Sequence, residues 1–300
     1  MQPGVAGERW TIARVLSWTQ SFFAERQIQT ARLDAEVLLA HVLQQPRIYL
    51  YTHYDQPLEA AERQAYRLLV QRRGRHEPVA YLCGQREFFG RSFSVSPAVL
   101  IPRPETELLV ETALAWLRRS APATPRILDI GTGSGALALS LAAEWPSAVV
   151  VATDLMPAAL AVAKANADAL GVRERVTFLA GDLLDPVAGA APFDLVLANL
   201  PYIDADAAAS LPIDVRSYEP PSALFAAAGG LALIARLCAT VPAQLRAGGL
   251  LLCELGSDQA AAAAALLVTE GAQAPWQDVH VLPDLAGLSR LLVGQRRAAP

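Results

Sequence analysis

Two periodicities divide the chain. From residue 8 to about residue 75, apolar side chains recur every three or four positions: Leu16, Phe22 and Phe23, then Ala35, Val37, Leu38, Leu39, Val42 and Leu43, then Leu68, Leu69 and Val70. That spacing marks one buried helix face. Gln45-Pro46 and Gln56-Pro57 interrupt it, because proline removes a backbone donor and restrains the residue before it. The pattern predicts a small domain of four or so helices over residues 1–76. From Arg126 onward the chain changes to short apolar runs separated by longer helical stretches. Arg126–Ile130, Val149–Asp154, Val176–Ala180 and Phe193–Ala198 read as strands, with helices from Ala136 and from near Pro157. Strands alternating with helices predict a doubly wound α/β sheet.

Between the two regions, Glu87–Val95 reads as a hairpin turning at Gly90. Pro102 and Pro104 hold the next segment extended, and a helix follows from near Glu105. Residues 77–104 are therefore a hairpin and linker leading directly into the sheet, which places the linker close to any ligand bound there. Residues 105–300 form the second domain. Past Phe193–Ala198, the segment Tyr218-Glu219-Pro220-Pro221 is a loop, and a helix runs from about Leu231 to Arg246. Gly248-Gly249 turns into a strand Leu250–Leu255, and a helix Gln259–Leu267 follows. Two late strands, about Asp278–Leu282 and Ser289–Val293, are expected to pair antiparallel at the sheet edge. Glu254 closes its strand and is read as a helix cap rather than a group facing the site.

Two stretches about seventy residues apart carry the candidate chemistry. The first is Asp129-Ile130-Gly131-Thr132-Gly133-Ser134-Gly135, a glycine turn between a strand and a helix. Glycine permits a tight turn and lets a ligand approach where a Cβ would clash. The spacing is not that of the dinucleotide fingerprint, and no Gly-Lys-Ser/Thr follows for a nucleoside triphosphate. Asp154 ends the next strand 19 residues past Gly135, near the spacing of a carboxylate that holds ribose hydroxyls; capping the helix at Pro157 is its other reading. Asp182, after the third strand, is placed to accept from an adenine amino group, and Leu183 to pack on the ring. The second stretch is Asn199-Leu200-Pro201-Tyr202, at the carboxyl end of the fourth strand, the edge where open α/β sheets bind ligands. An amide or exocyclic amine nitrogen is a poor nucleophile because its lone pair is delocalised. The Asn199 side-chain oxygen and the Leu200 carbonyl can accept from such an NH2 group, Pro201 fixes the turn, and Tyr202 offers a ring for stacking. Together the stretches predict methyl transfer from S-adenosylmethionine to a planar nitrogen.

Composition narrows the partners. A hydrophobic fraction of 53% with a net charge of −4 supports a substantial core and excludes a disordered chain. The acidic balance, with Lys164 as the single lysine, gives no electrostatic footprint for nucleic acid. Arg72-Arg73-Gly74-Arg75 reads as the solvated end of a helix, and Trp10, Trp18, Tyr49, Tyr51 and Tyr54 as core. Cys83, Cys238 and Cys253 lack metal-ligand spacing and suit buried thiols of a reducing cytosol. The four histidines are scattered away from both motifs, so neither a metal site nor a histidine-activated nucleophile is expected. The first residues lack the apolar segment of a signal peptide, and the longest uncharged apolar stretch, Ala223–Ala235, is too short to span a bilayer. A cytoplasmic monomer with no membrane contact is expected.

The motifs resemble those of the PrmC/HemK family of release-factor glutamine methyltransferases. The resemblance is carried by Pro78–Gly90, by Ile101-Pro102-Arg103-Pro104-Glu105-Thr106-Glu107, by the glycine loop and by the turn at Asn199. Val215–Pro220 and Glu254-Leu255-Gly256 look similar too. It implies a Rossmann-like class I methyltransferase domain behind a helical substrate-recognition domain. It also implies methylation of the side-chain amide N5 of the Gly-Gly-Gln glutamine in class I peptide chain release factors, by direct displacement at the sulfonium methyl. By resemblance Gly131, Thr132, Gly133, Ser134, Gly135, Asp154, Leu183 and Asn199 hold the cofactor. Asn199, Leu200, Pro201 and Tyr202 hold the glutamine amide, and the Pro-Glu-Thr of the linker shapes the pocket wall. One position departs: the family usually has Asn-Pro-Pro-Tyr, and here Leu200 stands second. Asn-Leu-Pro-Tyr also occurs in ribosomal RNA adenine dimethyltransferases, which keeps adenine N6 as an alternative. The sister enzyme acting on a ribosomal-protein glutamine is another, and a non-catalytic binding module on the same scaffold a third.

Overall fold

The computed structural model describes residues 9–120, 122–268 and 275–298. The glycine loop and the Asn199 turn are placed by a seven-stranded sheet. In chain order the helical part comes first, with α1 (Ile12–Ala24), α2 (Ala31–Leu43), α3 (Arg47–Thr52), α4 (Ala60–Arg73) and α5 (Val79–Cys83). The hairpin is β1 (Gln85–Phe88) and β2 (Arg91–Ser94), followed by α6 (Glu107–Ser120). Then come β3 (Arg126–Ile130), α7 (Ala136–Glu144), β4 (Val149–Asp154), α8 (Pro157–Ala169), β5 (Val176–Ala180) and β6 (Phe193–Ala198). The chain ends with α9 (Ile213–Tyr218), α10 (Ala232–Thr240), β7 (Leu245–Glu254), α11 (Ala260–Leu267), β8 (Trp276–Pro283) and β9 (Ser289–Arg296).

The sheet order is β5-β4-β3-β6-β7-β9-β8. Strands β3 to β7 pair parallel, and β9 joins β7 and β8 antiparallel. Side chains of a strand alternate between faces, and the core follows that rule. Ile127, Val150, Leu195, Leu197 and Leu252 pack under α6, α7 and α8, whereas Leu128, Val151, Val196, Leu251 and Cys253 pack under α10 and α11. Covered on both sides, β6 is buried along its whole length, as a central parallel strand must be.

The strand order reverses between β3 and β6, the switch point where such sheets bind ligands. Their register pairs Ile130 with Ala198, so Gly131 and Asn199 leave the sheet side by side.

Two expectations are corrected beyond β6. The helix expected to reach Arg246 ends at Thr240, and a 3-10 turn Val241–Ala243 follows. Pro242, with no N–H to donate, cannot extend the α-helical ladder. The strand expected from Leu250 begins at Leu245, and Gly248-Gly249 form a bulge within it. A Cβ on Gly249 would lie 2.9 Å from the Asp194 carbonyl oxygen, so the bulge requires its bare backbone.

The hairpin turns at Phe89-Gly90 with φ of 48° and 68°. Both values are positive, as a two-residue type I′ turn needs, and the Phe89 N–H donates to Glu107 Oε1 at 2.8 Å.

The chain divides into two compact units, Met1–Gly84 with Pro212–Tyr218, and Gln85–Leu211 with Glu219–Pro300. The helical unit thus extends to Gly84 rather than residue 76, and it takes in α9. Its core is built from Ile12, Phe23, Leu38, Leu39, Leu50 and Tyr66. Arg73 is not solvated: it is buried and pairs with buried Asp34 at 2.7 Å. Tyr51 and Tyr54 are 48% and 58% exposed rather than core, while Trp10, Trp18 and Tyr49 are half-buried against the helices. The Tyr51 hydroxyl donates to Glu36, which also receives Arg32 and Arg47, so a polar tip keeps this ring at the surface.

Candidate active site

A cleft open to solvent lies across the carboxyl ends of β3, β4 and β6. Its floor is the glycine loop. Gly131, Gly133 and Gly135 all take positive φ, at 71°, 55° and 85°, which other residues adopt only with strain. Gly131 and Thr132 N–H both donate to the Thr153 carbonyl at 2.9 Å, tying the loop to β4. Asp129 Oδ2 accepts from the Thr132 hydroxyl at 2.6 Å and from Ala138 N–H at 3.2 Å, tying it to α7. Asn166 donates to the carbonyls of Ser134 and Ser94 at 2.8 and 3.0 Å, which braces the loop against β2. Thr132 and Ser134 are buried, so the loop presents mainly backbone to the cleft. At Gly133 a Cβ would meet nothing within 4 Å, because that position faces open space.

Asp154 closes β4 beside this floor. Its Oδ2 accepts from Gly133 N–H at 2.9 Å and its Oδ1 from Met156 N–H at 2.8 Å. Burial raises its pKa, while these two backbone donors oppose the rise. It therefore lines the cleft and also closes the turn before α8, so both readings of this residue hold in part. Leu155 and Met156, exposed apolar side chains that sequence reasoning passed over, line the cleft next to it. Asp182 and Leu183, just after the neighbouring strand β5, line the cleft as well. Asp182 pairs with Arg236 at 2.6 Å, and Leu183 sits at φ 43° with its carbonyl accepting from Thr153. Asp129, buried with Oδ1 unpartnered by the protein, has its pKa pushed up to about 6 by burial.

The Asn199 turn lines the cleft next to Gly131. Asn199 Nδ2 donates to Thr106 Oγ1 at 3.2 Å. Leu200 is 4% exposed, and its Cδ2 lies 3.2 Å from where a Gly131 Cβ would stand. Pro201 lines the cleft beside Asn199 and Leu200; Tyr202 does not. The Tyr202 hydroxyl instead donates inward to Glu254 Oε1 at 3.2 Å, and its carbonyl accepts from Gln259 Nε2 at 2.8 Å. Gly230, at φ 83°, passes so close that a Cβ would fall 1.8 Å from that carbonyl oxygen.

Glu254 is corrected by this arrangement. It caps no helix; it is 1% exposed, its Oε1 accepts from the Tyr202 hydroxyl at 3.2 Å, and the Thr106 hydroxyl stands near it. Burial lifts its pKa to about 7, with the two hydroxyls opposing and Glu105 assisting the rise.

The linker passes the cleft as expected, contributing Ala98, Val99, Leu100, Pro102, Arg103 and Thr106. Of the Pro-Glu-Thr, Thr106 lines it while Pro104 and Glu105 do not. Glu219 holds the linker in place, accepting from Ile101 N–H at 3.1 Å and from Arg103 at 2.5 Å. Gln259 carried no periodic signal and was missed; Thr106 and Glu219 stood out only within the Pro-Glu-Thr and Val215–Pro220 motifs, and Glu254 only as an acid ending an apolar run. Among the described residues no cluster of His, Cys, Asp or Glu suits a metal ion, and no helix is long and apolar enough to cross a membrane.

The chain matches the description of the PrmC N-terminal domain over residues 14–84 and that of a methyltransferase domain over residues 127–212. Among solved structures, the hMettl16 catalytic domain in complex with MAT2A 3′UTR hairpin 6 superposes with a TM-score of 0.56 at 18% identity, covering 74% of this chain and 82% of that one. That likeness concerns the fold. A glycine loop after the first parallel strand, an acid ending the second and a polar turn ending the fourth define a Rossmann-like methyltransferase domain.

The release factor glutamine methyltransferase of Rhodopirellula baltica is 42% identical over 289 residues, covering 96% of this chain and 97% of its own. That of Bordetella pertussis is 48% identical over 263 residues, covering 88% and 94%. The chain belongs to the family of release factor glutamine methyltransferases.

Proposed function

We propose that this protein uses S-adenosylmethionine to methylate the side-chain amide N5 of the Gly-Gly-Gln glutamine in class I peptide chain release factors. The observation that carries the reading is the state of Asn199. Its amide nitrogen is engaged by Thr106, which leaves Oδ1 to accept from an NH2 group at the edge of the cofactor loop. The Leu200 carbonyl is the second acceptor. With its hydroxyl taken by Glu254, Tyr202 has only its ring to offer to a planar amide. Pro201 fixes the turn on which all three depend.

The residues fit the cofactor. A floor of backbone with positive φ, open space above Gly133 and a carboxylate at Asp154 form a cradle that a Cβ would fill. Gly131 to Gly135 would hold the amino-acid part, Asp154 the ribose hydroxyls, and Asp182 and Leu183 the adenine, with Asp182 turning from Arg236 to do so. When bound, S-adenosylmethionine supplies an electrophilic methyl group. The chain's contribution is to align the glutamine nitrogen and to exclude alternatives, and positioning of this kind accounts for large rate gains. No strong base stands at Asn199, and none is required, because an N-methylated amide cation surrenders its proton readily to water.

A net charge of −4 favours a protein substrate over RNA. The helical unit is the part available to recognise the release factor. Labelled S-adenosylmethionine should be offered with a release factor, with the same factor carrying alanine for its motif glutamine, with ribosomal RNA and with large-subunit ribosomal protein. Label on the intact factor alone is expected; label on RNA or on the ribosomal protein overturns the reading.

A further inference from the structure

We propose that Glu254 and Thr106 are positioning residues that fix the rotamer of the Asn199 amide and the pose of the Tyr202 ring, so that the Asn199 oxygen faces the substrate. This rests on the reading of Asn199 as an acceptor for the reacting NH2 group. An asparagine presents an oxygen on one side and an NH2 group of nearly the same shape on the other. Rotated by half a turn, Asn199 would meet the substrate amide donor to donor. Nothing in its own sequence neighbourhood prevents that.

The buried network does. An ionised carboxylate only accepts, and a hydroxyl has one proton to give. The Glu254 carboxyl stands close to the Thr106 hydroxyl and, when ionised, draws its proton. Towards Asn199 the Thr106 oxygen can then only accept, and it does so from Nδ2 at 3.2 Å. The Tyr202 hydroxyl gives its proton to the same carboxylate at 3.2 Å, which holds the ring by its tip. One carboxylate thereby bears on both the Tyr202 ring and, through the Thr106 hydroxyl beside it, the Asn199 amide. The sheet delivers the parts: β6 and β7 pair Ala198 with Cys253, so Asn199 and Glu254 are the next positions of neighbouring strands. Thr106 ends the 3-10 turn Pro104–Thr106 and is itself buried.

The cost of the arrangement points the same way. Glu254 sits in the core with Oε2 lacking any protein partner, and the nearby Arg290 is already paired with Asp284 at 3.0 Å. A buried acceptor without a partner is destabilising, so packing alone would favour an apolar side chain here. Such local conflicts between stability and sequence are expected where a site needs them.

The experiment measures kcat and KM for a release factor, and cofactor Kd by calorimetry, in Thr106→Val, Thr106→Ser, Glu254→Gln and Asn199→Ala. Valine keeps the shape of threonine without the hydroxyl. Thr106→Val should lower kcat by about 10- to 100-fold, the scale of one lost polar contact at a reacting centre, with cofactor Kd nearly unchanged. Thr106→Ser, which keeps the hydroxyl, should recover most of that loss. Glu254→Gln retains volume but replaces one acceptor oxygen by a donor, and should lower kcat by at least about tenfold. A Thr106→Val protein as active as the parent overturns the proposal, as does a parallel loss of cofactor affinity, which would make Thr106 merely structural. If Thr106→Val does not fold, Glu254→Gln decides alone, and parental kcat in that variant overturns the proposal. Full turnover in Asn199→Ala is a different failure: it overturns the acceptor reading on which the network depends.

Discussion

Leu200 shows how one side chain can be exchanged without losing its backbone role. The resemblance placed a proline at this position, yet the buried leucine fills the space beneath Gly131 and packs among the residues that line β3 and β6. Its carbonyl, the part the site uses, is common to both residues. Leu200→Ala is expected to destabilise by about 2–5 kcal/mol, the range for a buried leucine that leaves a cavity, and a thermal denaturation series would show it. Asn199→Ala should remove most turnover while leaving calorimetric cofactor affinity nearly intact; an equal loss of both would make Asn199 structural.

Glu254 gives a pH dependence with a definite sign. Its pKa rises from 4.5 to about 7 on folding because the carboxyl is buried, among Tyr202, Glu105 and Arg290. A folded value above the unfolded one means the folded state binds the proton more tightly. The resulting stability is present below the unfolded pKa and is lost as pH rises through about 7. Glutamine removes this dependence. Relative to the parent, Glu254→Gln should gain stability between about pH 5 and pH 8, by up to roughly 3 kcal/mol. Thermal midpoints of the two proteins across that interval test it, and parallel curves would sink it.

At the scale of elements, the strands were legible and their ends were not. Each parallel strand is an unbroken apolar run because helices cover both faces, so Arg126–Ile130 and Phe193–Ala198 could be read directly. The helix over-extended to Arg246 failed because its apolar spacing continues past Thr240, and only Pro242 and the pairing of β7 with β6 end it. Gly248-Gly249 looked like an ordinary turn; the approach of the Asp194 carbonyl makes it a bulge. Gly230 belongs to the same kind, since its need for glycine comes from Tyr202, far away in sequence. Gly230→Ala should displace the turn and lower turnover by at least about tenfold, with cofactor binding much less affected. The β4 end gives the converse case: Asp154→Ala should weaken cofactor binding by about 1–3 kcal/mol, the scale of hydrogen bonds to a charged group, and unchanged calorimetric affinity would remove Asp154 from the cofactor site.

At the scale of the whole molecule, the chain folds as two units, and the helical one hides a charge. Arg73 pairs with Asp34 out of solvent, although its run of arginines suggested a solvated helix end. Asp34→Ala would leave the buried guanidinium with only the Glu77 carbonyl at 3.2 Å and Asp214 at 3.8 Å, at a cost of up to about 3–5 kcal/mol. A fall in thermal stability is therefore expected, and a midpoint equal to the parent's would show that water reaches Arg73.

The sequence by itself determined the doubly wound order, the glycine loop, the Asn199 turn and the family. Each of these is written in local spacing: period two or unbroken apolar runs for strands, three to four for helices, and glycines where the backbone must turn left-handed. The tertiary structure alone decided which groups Thr106, Glu219, Glu254 and Gln259 hydrogen-bond around the cleft. These side chains arrive from the linker, from the loop after α9, from β7 and from the start of α11, and what joins them is the hydrogen-bonding demand of groups buried together. That demand has no period along the chain, because it is set by which partners the sheet register brings within 3 Å or so of one another.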